Sequence, residues 1–347
     1  MLESPKAHIG TLQVLRGIAA LLVFLAHWLP MTLGVQFSWG PAGVDLFFVI
    51  SGFVMVYTSN GRFGDVQSVW PFVRSRLLRI VPLYWAVTTF AYIFTGNLRN
   101  DLSISTVILS YIFIPTYDPV RGYLPILMVG WTLNLEMFFY ALFAIFLILP
   151  RNWAVAALSA VLIGFVFMMP YHHVLAFWSQ PIVIEFVFGM WIALLRIKAV
   201  RLPNWMCLIL ATVGSAIIPL SWSDHFSEVQ RLATWGSGAA LIVSACVLSN
   251  YQKPLPTWLN PLASIGDASY ALYLVHVPVL AIGIWLGIAP TLIFAIVMAA
   301  AYAANLTDTK VRHFLVEYID RRRLLEPNKK ENFVRGLSRN EENQNTQ

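Results

Sequence analysis

The chain has 347 residues, of which 58% are hydrophobic and only 12% charged. Globular domains carry about 25% charged residues, so this composition excludes an ordinary soluble domain and predicts an all-α polytopic membrane protein. The formal charge of +6 is concentrated in loops and tail. There it reads first as an orientation signal and only second as anion binding, and no nucleic-acid partner is expected.

Apolar runs at roughly 12–31, 42–59, 72–95, 131–149, 153–170, 180–196, 204–221, 231–250, 267–286 and 289–306 predict about ten transmembrane helices in one bundle. Most reach the ~17–25 residues that cross a bilayer as helix. The basic segments around Lys6–Arg16, Arg62–Arg79, Arg151, Arg196–Arg201, Lys253 and beyond Lys310 then fall on one side. Putting them in the cytoplasm places both termini there. An eleventh span over Ile104–Ile114 would reverse every later loop, so that run reads as a short re-entrant or interfacial helix. The expected organisation is a membrane-embedded unit over residues 1–309 and a cytoplasmic tail over 310–347. That tail holds nine Lys/Arg against six Asp/Glu. Its first part, 310–325, suits a basic amphipathic helix at the membrane surface, and the polar remainder suits disorder.

The first run, LQVLRGIAALLVFLAHWLP, carries Arg16 and His27 eleven positions apart. Eleven steps return to nearly the same helical face, with His27 about 16 Å further along the axis. His27 is either a packing histidine bonded to a backbone carbonyl or a functional group beyond mid-membrane. Arg16 stands where a cytoplasmic flank belongs and can simply snorkel to headgroups.

The second run adds Asp45, Ser51 and Gly52. Asp45 lies at a depth comparable to His27, where it either orients the imidazole or caps the helix start after Pro41. Ser51 and Gly52 suit close helix packing, and a Ser51 nucleophile is weakly supported. FVRSRLLRIVPLYW brings Arg74, Arg76 and Arg79 to the entry of the third run. Arg76 and Arg79 share a face while Arg74 projects elsewhere. Their null is orientation signal, and the use of Arg throughout favours bidentate phosphate binding.

In GWTLNLEMFFYALF, Thr132, Glu136 and Tyr140 share a face behind Trp131, and an isolated Glu136 among Leu, Met and Phe needs a partner or a proton. Glu185, in PIVIEFVFGM, is a similar buried acid, structural or substrate-lining. Ser269, Tyr273 and His276 form a polar stripe down the ninth run, which either lines a cavity or pins helices together. Cys207 and Cys246 lie in separate apolar runs, which argues against a disulfide framework or metal cluster. No metal-ligand spacing is present.

LRGIAALLVFLAH, GVDLFFVISGF, RSRLLRIVPLYW, GWTLNLEMFFY and SYALYLVH, in that order, closely resemble the motifs of the acyltransferase-three family of integral membrane O-acyltransferases, in particular its stand-alone bacterial exopolysaccharide and O-antigen acetylases. The resemblance runs from about residue 10 to residue 306. It implies ten spans in a bacterial inner membrane, an acetyl or other short acyl group donated by cytoplasmic acyl-CoA, and a sugar hydroxyl as acceptor. No tightly bound cofactor is implied. The family's Arg-to-His pair maps onto Arg16 and His27, its arginine motif onto Arg76 and Arg79, and its Trp-rich Glu motif onto Trp131 and Glu136. Asn134-Leu135 stands in the Glu motif at a place where the family varies. The tail carries no appended hydrolase-like domain of the kind some members have, from which the chain is expected to act alone or to pass acyl groups to a separate protein, such as one of polysaccharide assembly.

The mechanism expected from these residues uses His27 as general base, oriented by Asp45 or Glu136, with an acyl-His27 intermediate left open. Arg16, Arg74, Arg76 and Arg79 are the expected donor-binding set. Ser51, Trp131, Tyr140, Glu185, Tyr273 and His276 are the expected cavity lining. The rival from another class is a transporter or flippase of a glycolipid or small anion, because buried ionisable groups also mark substrate pathways. The crowding of polar motifs into the first 140 residues, with no repeat later, counts against it. A receptor or scaffold with purely structural polar contacts is the third reading.

Overall fold

A computed structural model describes residues 10–96, 103–117, 122–167, 173–220, 227–250 and 256–325. Among them there is no β-strand, and Leu202 and Ser249 form an isolated parallel bridge. Each of the ten apolar runs holds a helix: α1 (Gly10–Leu33), α2 (Ala42–Thr58), α3 (Val69–Gly96), α5 (Trp131–Phe146), α6 (Arg151–Phe167), α8 (Ile184–Ile197), α9 (Asn204–Ile217), α10 and α11 (Glu228–Arg231 and Ser237–Leu248), α13 (Ser269–Trp285) and α14 (Pro290–Leu325). A π-helical turn, Leu232–Gly236, joins α10 to α11. Three short helices complete the order: α4 (Ile104–Tyr111), α7 (His173–Trp178) and α12 (Asn260–Asp267).

Among the described residues five helices are long and apolar enough to cross a membrane: Gly10–Leu33, Val66–Phe94, Met128–Phe146, Glu228–Leu248 and Pro290–Arg321. A sixth is reached if Thr257–Asp267 and Ser269–Trp285, bent by 65°, are one broken span. The helices in the other apolar runs are shorter, 14 to 17 residues. The bundle turns large apolar side chains outward, with Trp153, Phe167, Leu208 and Trp285 each more than two-thirds exposed. An apolar outer surface on this scale matches a lipid solvent rather than water.

Close helix packing explains the small residues in the apolar runs. A Cβ on Gly52 of α2 would sit 2.1 Å from the Phe186 carbonyl oxygen, and one on Gly189 of α8 would sit 2.0 Å from that of Val49. The two backbones therefore touch where no side chain fits between them. Gly17 and Gly266 bring α1 against α12 in the same way.

Helix ends are tied across the bundle. Arg151 donates to Asn60 Oδ1 at 2.7 Å, and Leu202 exchanges backbone bonds with Leu248 and Asn250. α4 does not cross the bundle. It docks on α3, where Tyr84 Oη donates to the Ser110 carbonyl and Trp85 Nε1 to that of Tyr111.

The stretch 310–325, expected as a basic amphipathic helix, is helical and continues α14 unbroken from Pro290 to Leu325. No Gly or Pro interrupts it after Pro290, and its 36 residues extend about 54 Å, well beyond a ~30 Å hydrocarbon core. Residues 326–347, expected to be disordered, lie outside the described residues, as do Lys6 and Lys253.

Candidate functional site

The ends of α1, α3 and α13 meet the middles of α2 and α5 around a cavity of about 770 Å³, counting its open mouth. Arg16, Arg76, Arg79, Glu136, Ser51 and Tyr140 supply its polar lining, with Ser269, Tyr270, Tyr273 and Thr132. Phe47, Phe48, Val44, Val54 and Ile80 are among the apolar side chains that complete the wall.

Hydrogen bonds hold Arg16 and Glu136, whereas Arg76 rests on aromatic rings. Arg16 donates from Nη2 to Ser269 Oγ at 2.9 Å, one residue-turn beyond the contact that Gln13 makes with Asp267. Glu136 accepts from Ser51 Oγ at 3.1 Å and from Tyr140 Oη, its neighbour four residues on. The Arg76 guanidinium lies 5.5 Å from the Phe72 ring centre and 5.9 Å from that of Tyr140, so aromatic faces rather than a carboxylate hold it. Three guanidinium groups thus line a cavity that holds one carboxylate, and that carboxylate is bonded to hydroxyls. The surplus is positive and the wall is apolar, which suits a ligand with an anionic head and a slim, partly apolar arm.

Arg74, the third arginine of the motif, is elsewhere. Its Nη1 pairs with Asp320 Oδ1 at 2.8 Å and its Nη2 bonds the Val316 carbonyl, which ties α3 to the far end of α14. It does not line the cavity. Trp131, Glu185 and His276 are also outside the lining, whereas Ser51, Tyr140 and Tyr273 are within it.

Asp45 and His27, expected side by side, have other partners. Both oxygens of Asp45 accept from Arg231, at 3.1 Å from Nε and 2.9 Å from Nη2. Glu185 is buried next to them, its Oε1 2.8 Å from where a Gly236 Cβ would stand. The Arg231 guanidinium is 5.9 Å from the ring centre of Trp131 and 5.4 Å from that of Trp235. A second polar centre therefore gathers the starts of α2, α5 and α8 on the α10 arginine.

His27 bonds within its own helix, Nδ1 lying 2.9 Å from the Val23 carbonyl oxygen, and the same Nδ1 is 3.3 Å from His276 Nε2. His276 is fully buried. Its ring is 6.0 Å from that of Tyr273, which forms part of the cavity wall. Tyr273 Oη reaches Thr132 Oγ1 at 2.6 Å and the Val129 carbonyl at 2.8 Å. The histidine pair thus stands one aromatic ring beyond the arginine-lined cavity.

Sequence reasoning missed Arg231. The available signal was a lone cation at the end of a span assigned to the side opposite the basic loops, next to Glu228. Among the described residues no cluster of three or more His, Cys, Asp or Glu could hold a metal ion.

A family model described as an acyltransferase domain matches residues 9–306. The chain is 36% identical over 290 residues to the exopolysaccharide production protein ExoZ of Rhizobium meliloti (strain 1021), an alignment covering 77% of this chain and 86% of that one. It is 26% identical over 318 residues to the acyltransferase MdmB of Streptomyces mycarofaciens, covering 78% of each. No solved structure matches the chain.

Proposed function

The chain belongs to the acyltransferase-three family of integral membrane O-acyltransferases, and from that premise we propose that it transfers an acyl group, acetyl foremost, from acyl-CoA to a hydroxyl of an exopolysaccharide or its lipid-linked precursor. Similarity to an exopolysaccharide production protein supports the saccharide acceptor. The observation that carries the donor assignment is the cavity in which Arg16, Arg76 and Arg79 surround a single hydroxyl-bonded carboxylate, Glu136. Guanidinium groups recognise phosphate oxygens bidentately, and the aromatic and aliphatic wall above them suits a pantetheine arm.

In this reading all ten helical runs cross a bacterial inner membrane, with the basic loops and both termini in the cytoplasm. The donor enters at the Arg76–Arg79 end of α3, and its thioester is carried past Ser51 and Glu136 toward His27. His27 Nε2 takes the proton of the acceptor hydroxyl as the oxygen attacks the thioester carbonyl. The C–S bond then breaks and the CoA thiolate leaves with the proton that the imidazolium returns. Glu136 orients the donor through Ser51 and Tyr140 rather than holding His27.

The test is transfer of label from acetyl-CoA to a saccharide acceptor by the protein in lipid vesicles. Wild type transfers, Arg76→Ala and Arg79→Ala require more donor, and His27→Ala does not transfer. Full transfer by a folded His27→Ala protein would sink the mechanism. Uptake of acceptor without CoA release would restore the transporter reading.

A further inference from the structure

We infer that His276 is a positioning residue that, together with the Val23 carbonyl, holds the tautomer and orientation of His27. The inference rests on the reading of His27 as the base and adds a residue whose role that reading leaves unassigned.

A carbonyl oxygen only accepts, so the 2.9 Å contact of His27 Nδ1 with the Val23 carbonyl requires a proton on that nitrogen. The same rule applies to His276, whose Nδ1 lies 3.0 Å from the Leu272 carbonyl. In its neutral form His276 then has a bare lone pair on Nε2, and that atom is the one 3.3 Å from His27 Nδ1. His27 Nδ1–H is therefore shared between the Val23 carbonyl and His276 Nε2, which leaves His27 Nε2 as its basic nitrogen. A doubly protonated His276 would set two N–H donors against each other.

The surroundings hold His276 in place. It is fully buried, the Phe24 ring meets it edge-on at 6.1 Å and 77°, and the Tyr273 ring flanks it at 6.0 Å. His27 is only half-buried, on a parallel helix whose inner end is tied to α13 through Arg16 and Ser269. An anchored imidazole thus acts on an accessible one. Histidine bases elsewhere are oriented in the same manner by a group bonded to the nitrogen that does not react.

The experiment compares His276→Gln, His276→Asn and His276→Leu with wild type and His27→Ala in the same vesicle assay, per folded molecule by gel-filtration profile and thermal midpoint. A glutamine amide ends where Nε2 stood, whereas an asparagine amide ends nearer Nδ1. His276→Leu and His276→Asn are expected to lower kcat by about 10- to 100-fold with donor KM nearly unchanged, and His276→Gln to recover most of that loss. With His27→Ala inactive, wild-type kcat in folded His276→Leu, or rescue by Asn rather than Gln, overturns the inference while leaving the base reading intact. Full activity of His27→Ala overturns both. Should His276→Leu fail to fold, the comparison of Gln with Asn decides alone: equal kcat in the two overturns the inference.

Discussion

Arg231 clasps both carboxylate oxygens of Asp45, 186 residues earlier in the chain, at 3.1 and 2.9 Å. Asp45 is fully buried and the arginine side chain nearly so, which makes each charge dependent on the other. Removing one partner strands a buried charge, so Asp45→Ala is expected to cost about 3–5 kcal/mol. Arg231→Ala should cost a similar amount through the stranded Asp45, beside a second buried carboxyl at Glu185. The double variant should recover part of the loss, and thermal unfolding of all four proteins in detergent measures the coupling. Additive losses would show that the pair is incidental.

The three arginines of RSRLLRI divide by location. Arg76 and Arg79 line the cavity, whereas Arg74 is paired with Asp320 on an exposed stretch of α14. Arg76→Ala and Arg79→Ala should each raise the donor KM by about tenfold or more, the worth of a charge-assisted hydrogen bond. Arg74→Ala should leave KM unchanged and reduce stability by about 1 kcal/mol, since its partner Asp320 is solvent-exposed. Saturation curves for acyl-CoA separate the two cases.

How far the sequence disclosed this site follows from where each residue finds its partner. Arg16 with His27, and Thr132 with Glu136 and Tyr140, share faces of single helices, so 3.6-residue spacing is enough to group them. The same spacing separated Arg74 from Arg76 and Arg79. Contacts between distant helices have no such local trace. Asp45 lies close behind Pro41 and near His27 in the sequence, yet its partner stands on α10. Asp320 lies in a stretch read as a surface helix, so nothing marked it as the partner of Arg74. The continuity of α14 was hidden for another reason. The polar shift after Leu306 reports a change of solvent, whereas a helix ends only where the backbone requires it, and no breaker stands there.

Gly52 and Gly189 make the contact between α2 and α8 possible. Gly52→Ala would drive a methyl group to 2.1 Å from the Phe186 carbonyl oxygen, and Gly189→Ala to 2.0 Å from that of Val49. Backbone on both sides must then move, so each substitution should destabilise by about 1–3 kcal/mol or more. A loss of thermal midpoint with detergent-purified protein is the readout. Gly164→Ala, with open space around its Cβ, is the neutral control.

Glu136 is held by Ser51 and Tyr140, and in the proposed function its charge matters as well as its shape. Glu136→Gln preserves the volume and removes the charge. Transfer should fall by about 10²-fold or more, within the range assigned to positioned acid–base and electrostatic groups. Tyr140→Phe removes one of the two hydroxyl donors and should fall by less. Equal activity of Glu136→Gln and wild type would reduce Glu136 to a packing group.

Tyr273 separates the arginine-lined cavity from the histidine pair, its ring part of the wall on one side and 6.0 Å from His276 on the other. Its hydroxyl latches α13 to the turn before α5 through Thr132 and Val129. Tyr273→Phe keeps the ring and loses the latch, a change of about 1–3 kcal/mol in stability because buried partners lose a bond. On the proposed mechanism Tyr273→Ala opens this wall and is expected to let water reach the thioester beside His27. A base that activates a sugar hydroxyl then also activates water, so acceptor-free hydrolysis of acyl-CoA should rise relative to transfer. Comparing CoA release with and without acceptor measures this ratio directly. An unchanged ratio in folded Tyr273→Ala protein would show that the ring is not the barrier between the two compartments.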